Sequence, residues 1–140
     1  MHKNFTHKAK VYYEDTDSGG VVYYANYLKF LERARTEALI SLGFSNKKIK
    51  EDFELLIIVK SCNIDYKKTA CLEDELSIRS FIKSVTKTSF WMSQFISRKD
   101  DLIVEAKIHL VFVNDKGKPA KIPGSIFAYL KPYFCHTIKI

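Results

Sequence analysis

The chain has 140 residues, a length that suits one domain, and we expect a single domain over residues 1–140. Hydrophobic residues make up 46% and charged residues 28%, an ordinary globular composition that excludes a disordered or fibrous protein. The formal net charge of +7 points to polyanionic ligands such as nucleic acid, anionic lipid or a phosphorylated small molecule. The net charge alone does not distinguish among these three classes of ligand.

Cysteine usage and hydropathy predict a cytoplasmic protein without a membrane span. The three cysteines are odd in number and lie in no C-x-x-C pair, which argues against a disulfide framework or a zinc site. No apolar run approaches the roughly 18 residues that a membrane helix needs. The first residues carry charge without the apolar stretch of a signal peptide.

The first predicted elements are a short strand and one long helix. The strand is the β-favouring run at residues 11–13, and it ends in the turn-forming segment at residues 14–20. The helix is predicted from about Asn26 to Leu42, because apolar residues recur there at every third or fourth position. Asn26 stands at the N-cap position, and Gly43 stands where a C-terminal cap glycine is typical.

Beyond the helix, the hydrophobic period changes from helical to alternating. Residues 55–66 look extended, and alternation over residues 75–82, 90–96 and 102–112 predicts three more strands. Short connections between them imply antiparallel pairing. We therefore predict an α+β fold in which a five-stranded antiparallel sheet wraps around one long central helix. The face away from the helix would keep apolar residues exposed, which predicts a homo-oligomer; these residues are Phe81, Val85, Trp91, Phe95, Val111 and Val113.

The segment from Glu14 to Gly20 is the densest polar cluster and directly precedes the helix. A carboxylate there lies beside unpaired backbone N–H groups, which can also stabilise an oxyanion on a carbonyl, so the segment suits acyl hydrolysis. The alternative is that Asp15 and Asp17 merely shape a turn. A calcium loop is rejected, because Gly19 stands where the EF-hand pattern requires Asp or Asn, and Asn26 stands where it requires Glu.

Residues 12–27 (YYEDTDSGGVVYYANY) resemble the hotdog-fold acyl-CoA thioesterases of the 4-hydroxybenzoyl-CoA thioesterase type. Residues 30–37 (FLERARTE) bring the chain closest to the YbgC-like, Tol–Pal-associated branch. The resemblance implies a hotdog fold and hydrolysis of acyl-CoA thioesters with no metal or organic cofactor. It maps the catalytic aspartate onto Asp17, as nucleophile or as general base, and the carbonyl-polarising backbone N–H onto Tyr24. Histidine is common at the latter position in this branch, and Tyr24 departs from that pattern.

Substrate contacts and assembly are also implied by the resemblance. Family members bind the pantetheine arm between subunits and assemble as dimers that often pair into tetramers, so a homo-oligomer is expected, either a dimer or a dimer of dimers (a homotetramer). By position, Lys83 and Lys87 are assigned to the nucleotide phosphates, since they lie near the turn between two strands. Ser61, on the strand that faces the helix start, is a candidate pocket residue.

Two other functions compete with hydrolysis. A non-catalytic module that binds acyl carrier protein or another acidic partner would use the same positive charge. Nucleic-acid binding is disfavoured, because the aromatic residues alternate in core-type strands and form no stacking platform among basic residues.

Overall fold

The computed structural model describes residues 3–135 and contains one antiparallel sheet of five strands in the order β1-β3-β4-β5-β2. The strands are β1 (Phe5–Lys10), β2 (Leu56–Tyr66), β3 (Glu75–Val85), β4 (Ser89–Arg98) and β5 (Asp101–Val113). The helices are α1 (Tyr27–Ser41), α2 (Asn46–Phe53) and α3 (Gly124–Leu130). The predicted α+β class and the sheet wrapped around one long helix are confirmed.

Helix α1 fills the concave side of the sheet through its apolar stripe. Phe30, Leu31 and Ala34 are buried there in one continuous core with the inward-facing residues of β3, β4 and β5. Gly43 ends the helix as predicted, with φ of +93° and an N–H that donates to the Ile40 carbonyl. Asn26 does not cap the helix with its side chain; its Nδ2 donates to the Asp15 carbonyl at 2.8 Å.

The first strand lies earlier than predicted. Residues 13–15 form a 3-10 turn, and the strand is Phe5–Lys10, which pairs antiparallel with β3. Only alternate positions of this strand are partly buried, because it lies at an edge of the sheet. Pairing with β3 therefore extends a mostly polar segment that composition alone does not mark as a strand.

The face of the sheet away from α1 differs from the prediction in two ways. The β3–β4 register shifts between Ile82 and Ser84, so Val85 pairs with Phe90 and packs against the core. Phe81 and Phe95 stay on the outer face but are buried, because they pack edge to face with the Arg79 guanidinium over both rings. The exposed aliphatic residues lie instead on the edge strand β2: Leu56, Ile58 and Val59.

Two short helices close the remaining end of the molecule. Helix α2 was not predicted; Ser45 caps it by accepting the Lys48 N–H at 3.0 Å, and Ile49 is its buried anchor. Helix α3 buries Ile126 and Leu130 in the core. No helix in residues 3–135 is long and apolar enough to cross a membrane.

Candidate active site

A tight loop between β1 and α1 presents the Asp17 side chain. Thr16 and Val22 form a β-bridge, and the Asp17 N–H donates to the Val21 carbonyl at 2.9 Å. The loop reverses at Gly20, whose φ of +79° lies in the left-handed region that favours glycine. Two acids, a serine and two glycines supply this turn, as the sequence predicted.

The two aspartates of the loop have different roles. Asp15 is 4% exposed, and its Oδ2 accepts the Tyr12 N–H at 2.9 Å. Its carbonyl accepts the Tyr23 N–H at 3.1 Å. Asp17 is exposed, and its Oδ1 accepts one N–H, from Gly19 at 2.8 Å. Within residues 3–135 the other Asp17 oxygen has no hydrogen bond, so Asp15 holds the loop together while Asp17 is available for chemistry.

The helix start follows directly from this loop. Residues Tyr24–Asn26 form a 3-10 turn that continues into α1. The N–H of Tyr24 is at the first position of that turn, where a backbone donor has no partner inside the helix. Such a donor, at the positive end of the helix dipole, is suited to an oxyanion.

Tyrosine rings surround the helix start. Tyr24 contacts Tyr23 at 4.9 Å and Tyr66 of β2 at 6.3 Å between ring centroids. The Tyr66 hydroxyl donates to the Tyr24 carbonyl at 3.3 Å, and its ring lies 5.6 Å from that of Tyr27. Burial raises the pKa of Tyr66. Tyr66 therefore ties the end of β2 to the candidate oxyanion donor.

A second loop, at residues 67–74, supports the first. The Ala70 carbonyl accepts the Val22 N–H at 2.9 Å, and the Ala70 N–H donates to the buried Tyr27 hydroxyl at 2.9 Å. Arg98 donates to Asp74 at 2.8 Å, and the Asp74 carboxylate also accepts the Cys71 N–H. Burial acts to raise the pKa of Asp74, but these two hydrogen bonds bring it below its usual value.

The remaining predicted site residues lie away from Asp17 within the protomer. Lys83 and Lys87 are at the β3–β4 end of the sheet, whereas the Asp17 loop meets the sheet near Asp74, before β3 begins. Ser61 pairs with His109, which stacks on Trp91 at 4.3 Å. That pairing puts Ser61 on the face away from α1, so its place in a pocket stays a prediction.

Sequence reasoning missed Tyr66 because nothing near it in the chain marks it as functional. An aromatic residue at the end of an apolar strand is ordinary core composition. Only the sheet topology brings it to the helix start. In residues 3–135, no three His, Cys, Asp or Glu side chains come together to hold a metal ion.

The sheet wrapped around one helix is the hotdog arrangement, and the exposed Asp17 carboxylate lies on the loop that leads into that helix. The family model described as thioesterase-like superfamily matches residues 11–130. An acyl-CoA thioesterase YbgC of Haemophilus influenzae is 36% identical over 129 residues, covering 91% of this chain and 95% of the relative. An acyl-CoA thioester hydrolase YbgC of Escherichia coli is 39% identical over 129 residues, covering 91% and 96%.

Solved structures agree with the sequence relatives. A probable thioesterase from Bartonella henselae superposes with a TM-score of 0.83 at 34% identity, covering 86% of this chain and 100% of that one. The chain belongs to the thioesterase-like superfamily. The resemblance to YbgC-like thioesterases is therefore confirmed, as is the hotdog fold.

Proposed function

We propose that this protein hydrolyses acyl-CoA thioesters to the free acid and CoA, with Asp17 as the catalytic carboxylate and the Tyr24 N–H as the oxyanion donor. The observation that carries the proposal is that the two aspartates of the loop have different environments. Asp15 is buried and used by the fold, whereas Asp17 is exposed and held by a single N–H just before the helix start. The YbgC relatives are an acyl-CoA thioesterase and an acyl-CoA thioester hydrolase, which supports the same reaction.

Two courses of the reaction are compatible with this site. As a nucleophile, Asp17 attacks the carbonyl carbon, CoA leaves as the thiolate, and water then hydrolyses the mixed anhydride to the acid and the free carboxylate. As a general base, Asp17 takes a proton from water while the water oxygen attacks, and the collapsing intermediate expels the thiolate, which is then protonated. In both, the Tyr24 N–H donates to the oxygen that becomes negative.

The proposal includes an assembly of several protomers, because Lys83 and Lys87 lie far from Asp17 of the same protomer. Strand β3, with 11 residues, spans about 35 Å at about 3.3 Å per residue and separates the two ends. If these lysines bind the nucleotide phosphates of CoA, they serve a site of another protomer. The open β2 edge, with exposed Leu56, Ile58 and Val59, supports a homodimer that pairs β2 with β2, and two such dimers would give the expected homotetramer.

The test is thiol release from short, long and aromatic acyl-CoAs by the parent, by Asp17→Asn and by the matched control Asp100→Asn. Asp100 is exposed, on the β4–β5 turn. We expect Asp17→Asn to lose on the order of a thousandfold in kcat/KM, because removing a nucleophile or its base has that effect. The control should match the parent. Full hydrolysis by Asp17→Asn would overturn the assignment.

A second candidate function, binding of an acidic partner such as acyl carrier protein, is favoured by the lysines at the far end of the sheet. The Lys87 carbonyl accepts the Ile122 N–H at 2.8 Å, which brings the β3–β4 turn beside the loop after β5. Residues 83–88 and 114–122, which form the end of β3, the β3–β4 turn and the loop after β5, contain one acid, Asp115, and five lysines: Lys83, Lys87, Lys116, Lys118 and Lys121. Binding of acyl carrier protein without any thiol release would favour this function over hydrolysis.

A cytoplasmic location stays a prediction that rests on the cysteine pattern.

A further inference from the structure

A cavity of about 170 Å³ lies between α1 and the sheet, beyond the helix start. Most of its wall is aliphatic or aromatic, including Leu39, Ile57 and Leu110. Its α1 residues nearest the helix start are polar, namely Glu32, Arg35 and Thr36. The cavity is therefore apolar with one charged side, which the proposed reaction at Asp17 does not explain.

Arg35 is held in that side by a buried amide. Its Nη1 donates to Gln94 Oε1 at 3.0 Å. Gln94 is 0% exposed, and its Nε2 donates to the Leu31 carbonyl at 3.1 Å and to Ser80 Oγ at 2.9 Å. Because both amide protons are used, the Gln94 oxygen is left to face the guanidinium. Two buried polar residues of the sheet thus fix one arginine of the helix.

The Arg35 guanidinium has no carboxylate partner. None of the ion pairs formed within residues 3–135 includes it. Glu32 lies one turn earlier, and its carboxylate accepts the Thr36 hydroxyl at 3.3 Å. Burial lowers the pKa of Arg35, while Glu32 opposes that shift. A largely buried cation is costly unless it is paired, and this one keeps most of its N–H donors for a ligand.

The space between α1 and β2 from the helix start to Arg35 is termed the groove, and each of its ends is defined by a contact or a shared cavity wall. At one end, the Tyr27 and Tyr66 rings are 5.6 Å apart. At the other, Arg35 of α1 lines the same cavity as Ile57 and Val59 of β2. From Tyr27 to Arg35, α1 advances about 12 Å at about 1.5 Å per residue.

We propose that Arg35 is a specificity-determining residue that binds a carboxylate at the far end of the acyl group, so that the preferred substrates are CoA thioesters of dicarboxylic acids. This rests on the proposed function and names its substrate class. The groove length corresponds to roughly eight to ten carbons, because C–C bonds of about 1.5 Å advance an extended chain by about 1.3 Å each. The methylenes lie along the groove, and the guanidinium binds both carboxylate oxygens.

The walls around Arg35 strengthen this recognition. Val59, Met92 and Leu110 line the same cavity, and an apolar surrounding strengthens a charge-assisted hydrogen bond. Arg35 already has its orientation from Gln94, so little side-chain entropy is lost on binding. The Glu32 carboxylate repels a second carboxylate, and this repulsion limits the preference for dicarboxylic acyl groups.

The experiment compares kcat/KM for pairs of CoA thioesters that differ only in the terminal carboxylate: adipoyl with hexanoyl, suberoyl with octanoyl, and sebacoyl with decanoyl. The variants are Arg35→Met, Arg35→Lys, Glu32→Gln and the matched control Arg33→Met, an exposed arginine of the same helix. In the parent we expect a preference of about tenfold for the diacid at the best length, the scale of one charge-assisted pair. Arg35→Met should abolish it, Arg35→Lys should keep part of it, Glu32→Gln should raise it, and Arg33→Met should leave it unchanged.

Calorimetric titration with suberate and octanoate, on the same variants, tests the inference without turnover. If the parent hydrolyses no thioester but binds suberate through Arg35, the proposed function and the substrate assignment fail, and only carboxylate binding by Arg35 stands. If the parent hydrolyses octanoyl-CoA better than suberoyl-CoA and Arg35→Met leaves that ratio unchanged, the inference fails and the proposed function stands. Equal loss of both substrates in a folded Arg35→Met variant also overturns it, since that marks a structural role.

Discussion

Tyr27→Phe tests how the two loops around the site are joined. The Tyr27 hydroxyl, on a side chain 3% exposed, accepts the N–H of Ala70, which is 0% exposed. Removing the hydroxyl leaves a buried N–H without its acceptor, at a cost of about 1–3 kcal/mol. For a domain of this size we expect the Tm to fall by roughly 4–12 °C.

The assay is urea unfolding followed by circular dichroism at one fixed protein concentration, because assembly would make stability depend on concentration. Tyr24→Phe is the matched control, since the Tyr24 side chain is 62% exposed. The control should change the free energy of unfolding by less than about 0.5 kcal/mol. If the two variants are equally stable, the Tyr27–Ala70 hydrogen bond does not anchor the second loop.

Three further predictions concern the loop, an ion pair and the sheet edge. Gly20→Ala should lower the free energy of unfolding by about 1–2 kcal/mol, because a Cβ is strained at positive φ; an unchanged urea midpoint would contradict this. The fold lowers the pKa of Asp74, so its contribution is present at neutral pH and lost as pH falls below about 4. Asp74→Asn should therefore be less stable than the parent at pH 7, and the difference in stability should shrink as pH falls below about 4, as measured by thermal unfolding. Ile58→Lys, on the open β2 edge, should shift the sedimentation coefficient toward the monomer, and an unaltered value would place the interface elsewhere.

The sequence predicted those elements whose pattern is local. Helix α1 and strands β3, β4 and β5 bury residues at regular intervals, so their periods are readable in the chain. Strand β1 is an edge strand with a polar composition, and its extended shape comes from pairing with β3. Helix α2 has one buried residue, Ile49, too little for a hydrophobic period.

Register shifts decide which face of the sheet some residues occupy. A shift in β3 between Ile82 and Ser84 inserts Lys83 and turns Val85 to the core. Another in β2 lies between Val59 and Ser61 and decides the face of Ser61. A bulge depends on how two strands fit together, so alternation along one strand does not reveal it.

The sequence motif of the candidate site could be predicted from the chain, but the residues that surround the motif in the fold could not. The acid-rich turn before the helix is contiguous in the chain, and it contains Asp17. That Asp15 is buried while Asp17 is exposed depends on hydrogen bonds to Tyr12 and Tyr23. The contact of Arg35 with Gln94 joins residues 59 positions apart, and no local pattern predicts it.

The strand order has a consequence for how the chain folds. Strands β3, β4 and β5 follow one another through short turns and are neighbours in the sheet, so their contacts close quickly. These three strands form a meander. Strand β1 pairs with β3 only when residues 11–74 form a loop between them, and β2 is separated from its partner β5 in the chain by β3 and β4. We therefore expect the meander to form first and both outer strands to dock late. The groove between α1 and β2 would then exist only after the last folding step, and a partly folded chain would have no site at which to act prematurely.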